Sequence, residues 1–221
     1  YLTFTRPNIA YAVNQASQFM HAPTDCHMES VKRILRYLKG TVGDGLRYTC
    51  DKDYDSGHHL TTYSDADWAG DPDERRSVSG YCVFIGQNVV TWSSKKQKVV
   101  ARFSTEVEYR AMAAGTTDVT WVRHLLHELH EPISSPMLLC DNQSAINIAF
   151  NPILHCRTKH IEIDQHFVRK KVEEEEIEPT YVRTDAQIAD IFSKGLSSPQ
   201  FWTIRNKLSM IQDHPQLEGD C

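Results

Sequence analysis

The chain has 221 residues, 40% of them hydrophobic and 24% charged, with a formal net charge of −5. That length can bury a good core and suits one ordinary domain with an appendage, in a soluble globular protein. The acidic balance argues against a generally basic nucleic-acid binder, because phosphate binding runs on Lys and Arg. No apolar run approaches the roughly 20 residues that span a bilayer, so no membrane association is expected. The six cysteines are scattered without a CxxC pair, as expected of free thiols in a reduced, intracellular setting. An opening Tyr1 with no basic-apolar leader suggests a piece cut from a longer polypeptide.

Residues 1 to about 40 read as two helices. Pro7 sits near a first turn, and Ile9, Ala12, Val13, Ala16 and Met20 keep one apolar face. Thr24 can cap a second helix, in which Met28, Val31, Ile34, Leu35 and Leu38 form a stripe and Gly40 ends the run. From Leu46 the pattern changes to strands: Leu46–Tyr48, Leu60–Asp65, Ser79–Ile85 and Val89–Trp92, with Gly86-Gln87-Asn88 as hairpin chemistry. A long helix is expected from about Thr105 to Glu131, with Met112, Trp121, Leu125, Leu126 and Leu129 buried, stopped by Pro132 and Pro136. Met137–Cys140 is a continuous apolar run that fits a central strand. Helices follow near Asn142–Asn151 and over Ile161–Ile177, then a strand at Thr180–Val182 and helices over Gln187–Phe192 and Pro199–Met210. The run Glu173–Glu176 reads as a solvated face. Hairpin strands followed by alternating helix and strand imply an α/β fold with a mixed sheet and helices on its faces.

Acids stand at the ends of these elements. Asp65 ends the first core strand, and Asp67, two residues on, shares its face. Glu108 lies early in the long helix, Asp141 follows the apolar strand, and Asp190 lies in a late helix. Each has an ordinary explanation: an Asx-type turn at Asp65, a capping box Thr105-x-x-Glu108, a helix cap at Asp141, a solvated Asp190. Gathered at one edge of a sheet they would be hard oxygen ligands suited to magnesium. Two such ions about 4 Å apart activate a water and brace a scissile phosphate. Lys95, Lys96, Lys98 and Arg102, with Trp92 close by, are candidates to grip backbone phosphates. His155-Cys156 with His160 and His166 matches no standard zinc spacing.

The motifs Tyr63-Ser64-Asp65-Ala66-Asp67-Trp68-Ala69-Gly70, Arg75-Arg76-Ser77-Val78-Ser79-Gly80-Tyr81, Trp92-Ser93-Ser94-Lys95-Lys96-Gln97 and Ser104-Thr105-Glu106-Val107-Glu108-Tyr109-Arg110-Ala111 together resemble the ribonuclease H domain of copia-type LTR-retrotransposon Pol polyproteins. Cys140-Asp141-Asn142-Gln143-Ser144-Ala145 and Ala189-Asp190-Ile191-Phe192-Ser193-Lys194-Gly195-Leu196 continue the match. Residues 1 to about 41 resemble the end of the reverse transcriptase that precedes that domain. Phe103 and Val107 depart from the Ser and Ala more usual there. No His lies between Thr184 and Asp190, where many cellular relatives carry one; His160 and His166 precede that link.

The resemblance implies a ribonuclease H-like fold with a five-stranded mixed sheet. It divides the chain into a helical reverse-transcriptase remnant (1–44), the ribonuclease H-like domain (45–198) and a C-terminal helix with a loose tail (199–221). It puts the metal-binding, catalytic acids on Asp65, Glu108, Asp141 and Asp190, with Asp67 and Glu106 as second choices for the first two. Two Mg2+ ions, replaceable by Mn2+, would hydrolyse the RNA strand of an RNA–DNA hybrid during reverse transcription. The partners would be that hybrid and the reverse transcriptase, in a cytoplasmic virus-like particle or the nucleus. One competing reading is a catalytically silent, nucleic-acid-binding or structural fragment. Another is an integrase, whose acids run Asp, Asp, Glu along the chain rather than the order seen here.

Overall fold

The computed structural model describes residues 2–50, 59–71, 74–151 and 161–212. Its elements in chain order are α1 (Ala10–Ser17), α2 (Asp25–Gly40), β1 (Asp44–Leu46), β2 (Leu60–Asp67), β3 (Val78–Ile85) and β4 (Asn88–Lys96). Then come α3 (Ser104–Glu128), β5 (Met137–Cys140), α4 (Gln143–Phe150), α5 (Glu162–Glu173), β6 (Glu178–Tyr181), α6 (Asp190–Ser193), α7 (Ser198–Lys207) and β7 (Met210–Gln212).

The main sheet has five strands in the order β4-β3-β2-β5-β6. β2, β3 and β4 are antiparallel neighbours, whereas β5 runs parallel to β2 and β6 parallel to β5. Short hairpins can join only antiparallel strands, so the switch to parallel pairing falls where α3 and then α4 and α5 supply the crossovers. Between β3 and β4, Gly86 takes φ 58°, which suits a two-residue hairpin and costs Gly nothing. This five-stranded mixed sheet, flanked by helices and preceded by α1 and α2, is the architecture that the sequence resemblance implies.

Alternation along β3 divides the core in two. Val83 faces one layer with Leu60, Tyr109, Met112, Val119, Leu138, Ile146 and Val168, which joins the sheet to α3, α4 and α5. Cys82 and Phe84 face the other, with Ile191 and Phe192 of α6, Ile204 of α7 and Leu208 just after it. Both faces are therefore covered, as the continuous apolar run in β5 requires.

Several local expectations change. Trp121, Leu125 and Leu129 are 63%, 41% and 61% exposed. The buried stripe of α3 instead runs through Met112, Gly115, Val119, Val122 and Leu126, so the neighbouring stripe points outward. None of α2 is buried, and Met28, Val31 and Leu35 of its apolar stripe are exposed. Thr24 does cap that helix, its backbone N–H donating to His27 Nδ1 at 3.1 Å. β4 continues past Trp92 to Lys96, while α5 stops at Glu173 because Glu175 adopts φ 54°. Glu176 is not simply solvated, since it lies 2.7 Å from Lys171 and 3.3 Å from Arg123.

The expected strand at Leu46–Tyr48 forms at Asp44–Leu46 and pairs outside the main sheet, with β7. β7 begins where a helix to Met210 was expected, because the chain turns through Ser209 at φ 56°. Beside that pairing, Arg205 forms a buried ion pair with Asp44, tying α7 to the residues that follow α2.

Candidate functional site

β2 and β5 are parallel neighbours, so their carboxyl ends lie at the same edge of the sheet, where side chains beyond the strands can meet. Asp65 is near the end of β2, only 2% exposed and paired with Gly80 of β3. Asp141 immediately follows β5. Glu108, in the second turn of α3, accepts a hydrogen bond from the backbone N–H of Ala66. Asp190 opens α6 on the opposite face of the sheet.

Gly80 makes the approach of α6 possible. A Cβ there would lie 2.7 Å from Phe192 Cβ, 2.8 Å from the Phe192 carbonyl carbon and 2.9 Å from the Ser193 nitrogen. With a bare glycine, α6 lies directly on β3 and its side chains reach Asp65. Ser193 Oγ donates to Asp65 Oδ2, and Lys194 Nζ lies 3.4 Å from that oxygen and 2.8 Å from Asp190 Oδ1. Thr184 Oγ1 donates to Asp141 Oδ2 at 3.0 Å.

Among the described residues, Glu108, Cys140 and Asp141 offer donor atoms that all lie within 4.8 Å of one another. Burial, and then the charges of Asp65 and Asp141, push the Glu108 carboxyl up to about 9. Burial and Asp65 push Asp190 up to about 6 against the pull of Lys194. Asp141 is raised by burial and Asp65, partly offset by its Thr184 hydrogen bond. For Lys194, burial opposes its charge, but Asp65 and Asp190 outweigh burial and hold it firmly protonated. The four expected acids are thus electrostatic neighbours, drawn from β2, α3, the end of β5 and α6.

Among the described residues, buried Glu108 Oε2 has no hydrogen-bond partner. An orphaned carboxylate oxygen beside two further carboxylates is a poor arrangement for an empty core and a fitting one for a hard divalent cation. Cys140 suits such an ion less well. Burial, and then the charge of Glu108, raise its thiol far above the ordinary range, so it stays protonated.

No family model matches the chain. It is 43% identical, over 222 aligned positions, to the retrovirus-related Pol polyprotein from transposon RE2 of Arabidopsis thaliana, covering 99% of this chain and 15% of that protein. The Pol polyprotein from transposon TNT 1-94 of Nicotiana tabacum is 37% identical over 206 positions, covering 93% of this chain and 15% of its own length. Over nearly its whole length the chain is similar to one segment of retrovirus-related Pol polyproteins from transposons. It spans about 15% of the length of these relatives. Among solved structures, the N-terminal RNase H domain of a Mycobacterium tuberculosis protein superposes with a TM-score of 0.47 at 12% identity, covering 67% of this chain and 97% of that one.

The second-choice acids have separate surroundings. Asp67 remains near Asp65 but also faces Tyr11 of α1. Glu106 turns away to Arg110 at 2.8 Å and to the backbone N–H of Arg102 at 3.3 Å. The expected capping box is absent. Phe103 takes the N-cap position of α3 without a side-chain bond, because Glu108 is engaged at the strand end. Nor does Asp141 cap α4: Asn142 does, accepting from the Ala145 N–H at 3.0 Å, which leaves Asp141 for Thr184.

Lys95, Lys98 and Arg102 are exposed on β4 and the loop after it, whereas Lys96 is bound to Asp71 and lies 2.7 Å from Glu74. Lys95, Lys96 and Lys98 line a cleft of about 660 Å³ with Tyr81, Arg110 and Asp118. His166 is exposed on α5; His155, Cys156 and His160 lie outside the described residues. Sequence reasoning had missed Gly80, Thr184, Cys140, Ser193 and Lys194. Gly80, Cys140, Ser193 and Lys194 stand inside motifs already singled out. The i,i+4 spacing of Asp190 and Lys194 was the signal available for the last.

Proposed function

We propose that this Pol segment is a metal-dependent ribonuclease H that hydrolyses the RNA strand of RNA–DNA hybrids, leaving a 5′-phosphate and a 3′-hydroxyl. The observation that carries this reading is the convergence of Asp65, Glu108, Asp141 and Asp190, with Glu108 Oε2 buried and unpartnered among them. Two Mg2+ ions, or Mn2+ in their place, would supply charge neutralisation at the phosphate and a water of lowered pKa. Asp65, Glu108, Asp141 and Asp190 would be the residues that hold them.

The chain's own groups prepare that arrangement. Ser193 and Thr184 donate to Asp65 and Asp141, fixing each carboxylate's rotation. Glu108, on the first helix turns beside β2, would hydrogen-bond the 2′-hydroxyl that distinguishes RNA. Exposed Lys95, Lys98 and Arg102 would meet backbone phosphates, contributing affinity without sequence preference. The product of a reverse transcriptase is the matching substrate, so the rest of the polyprotein is the expected partner.

The test is cleavage of an end-labelled RNA–DNA hybrid with and without Mg2+, comparing the parent with Asp141→Asn. The parent should cut only the RNA strand and only with metal, and the variant should lose at least about a hundredfold in rate. Equal cleavage by both would sink the reading. Metal-independent binding without cleavage would favour the catalytically silent alternative.

A further inference from the structure

We propose that Lys194 is the built-in counter-ion of the acidic site, holding Asp65 and Asp190 in the absence of metal and yielding those same oxygens when a divalent cation enters. The proposal rests on the reading above that the site takes such a cation. The segment Asp190–Lys194 sends three different groups into one place: a carboxylate from Asp190, a hydroxyl from Ser193 and an ammonium from Lys194. The ammonium lies 3.4 Å from Asp65 Oδ2 and 2.8 Å from Asp190 Oδ1, so it bridges two acids from opposite parts of the chain.

Burial explains why a cation is needed there at all. The Asp65 and Asp190 side chains are 2% and 8% exposed. Two carboxylates taken out of water side by side are strongly unfavourable without an opposite charge or a proton. Lys194 is placed to provide that charge and also to withdraw it. Its side chain is 33% exposed, so the head group sits at the mouth of the site and can swing into water on its flexible stem. Its main chain stays fixed, the Lys194 N–H donating to the Asp190 carbonyl at 3.1 Å while Ser193 beside it is buried.

The ammonium and a metal compete for the same oxygens. Lys194 therefore sets metal affinity below what the four acids would otherwise give, and it keeps the site assembled between metal-bound states. Other charges facing it, Asp141 and Asp67, are also acidic and favour its retention.

The experiment titrates MgCl2 into the full chain by calorimetry at constant ionic strength, for the parent, Lys194→Met and Lys194→Arg. Lys194→Met keeps the stem and removes the charge. It should bind Mg2+ about tenfold more tightly, melt several degrees lower in EDTA, and regain parental stability once saturated. Lys194→Arg should stay close to the parent in both respects. A measurement on the parent alone removes any dependence on how the variant folds. The Lys194 Nζ resonance, assigned by its loss in Lys194→Arg, should be protected in EDTA and become solvent-exchanging as Mg2+ saturates the site. Unchanged affinity and melting in Lys194→Met, or an Nζ signal unmoved while the parent binds Mg2+, would overturn the lysine's role alone. A parent that takes up no Mg2+ would overturn both this proposal and the reading on which it rests.

Discussion

Glu108→Gln is the perturbation that most directly exposes the electrostatic strain of the site. The carboxyl ionises at its ordinary 4.5 when the chain is unfolded but is pushed up to about 9 in the native state. Between those values the native protein holds a proton that the unfolded chain has released. Stability without metal must therefore fall as pH rises from about 5 to about 9, by at most ~1.4 kcal/mol per pH unit from this group. Over the three pH units from 4.5 to 7.5 that ceiling is about 4 kcal/mol, and relaxation around the site reduces it to about 1–2 kcal/mol. Gln keeps an acceptor for the Ala66 N–H, cannot ionise and so removes this slope. In EDTA at pH 7.5 the variant should melt about 2–8 °C above the parent, with the two converging toward pH 4.5. Mg2+ should reverse the order by stabilising the parent far more. Thermal melts at five or six pH values, with and without Mg2+, decide it. Parallel pH slopes for the two proteins in EDTA would refute the reasoning.

Other changes probe the scaffold and the approach of substrate. Gly80→Ala drives a Cβ against Phe192 and the Ser193 backbone, so it should cost about 1–3 kcal/mol and lower hybrid cleavage by displacing α6; melts and rates equal to the parent would contradict the close approach. Arg205→Met leaves Asp44 buried without its partner and should cost about 3–5 kcal/mol in denaturant unfolding, part of it recovered by adding Asp44→Asn. Lys95→Gln and Lys98→Gln should each weaken hybrid binding similarly for all sequences and reduce the log–log salt slope by about 1, whereas unchanged slopes would remove these lysines from the phosphate contacts.

The expected acids were legible because each stands where an element begins or ends, and because the motifs around them recur together. Position at an element's end says which edge of a sheet a residue occupies, and parallel pairing of β2 with β5 then puts Asp65 and Asp141 at one edge. Lys194 was not read in this way, since a lysine four residues after an acid ordinarily suggests a solvated helix pair. Only the seating of α6 on Gly80 turns that pair toward Asp65. Similarly, the periodicity of α3 contains two adjacent apolar stripes, and the sheet covers only the one through Met112 and Val119, which exposes Trp121. The pairing of β1 with β7 joins residues more than 160 positions apart through Asp44 and Arg205, a separation at which local pattern carries no information. Left-handed Glu175 and Ser209, which end α5 and redirect the chain after α7, are non-glycine residues without the usual turn signature.

The most direct test of the central claim is the anomalous diffraction of crystals soaked in Mn2+ at a wavelength chosen for that metal. Ordered Mn2+ should appear bounded by the carboxylates of Asp65, Glu108, Asp141 and Asp190, with the Lys194 ammonium withdrawn. Manganese bound only at other sites, with Lys194 still bridging Asp65 and Asp190, would contradict it.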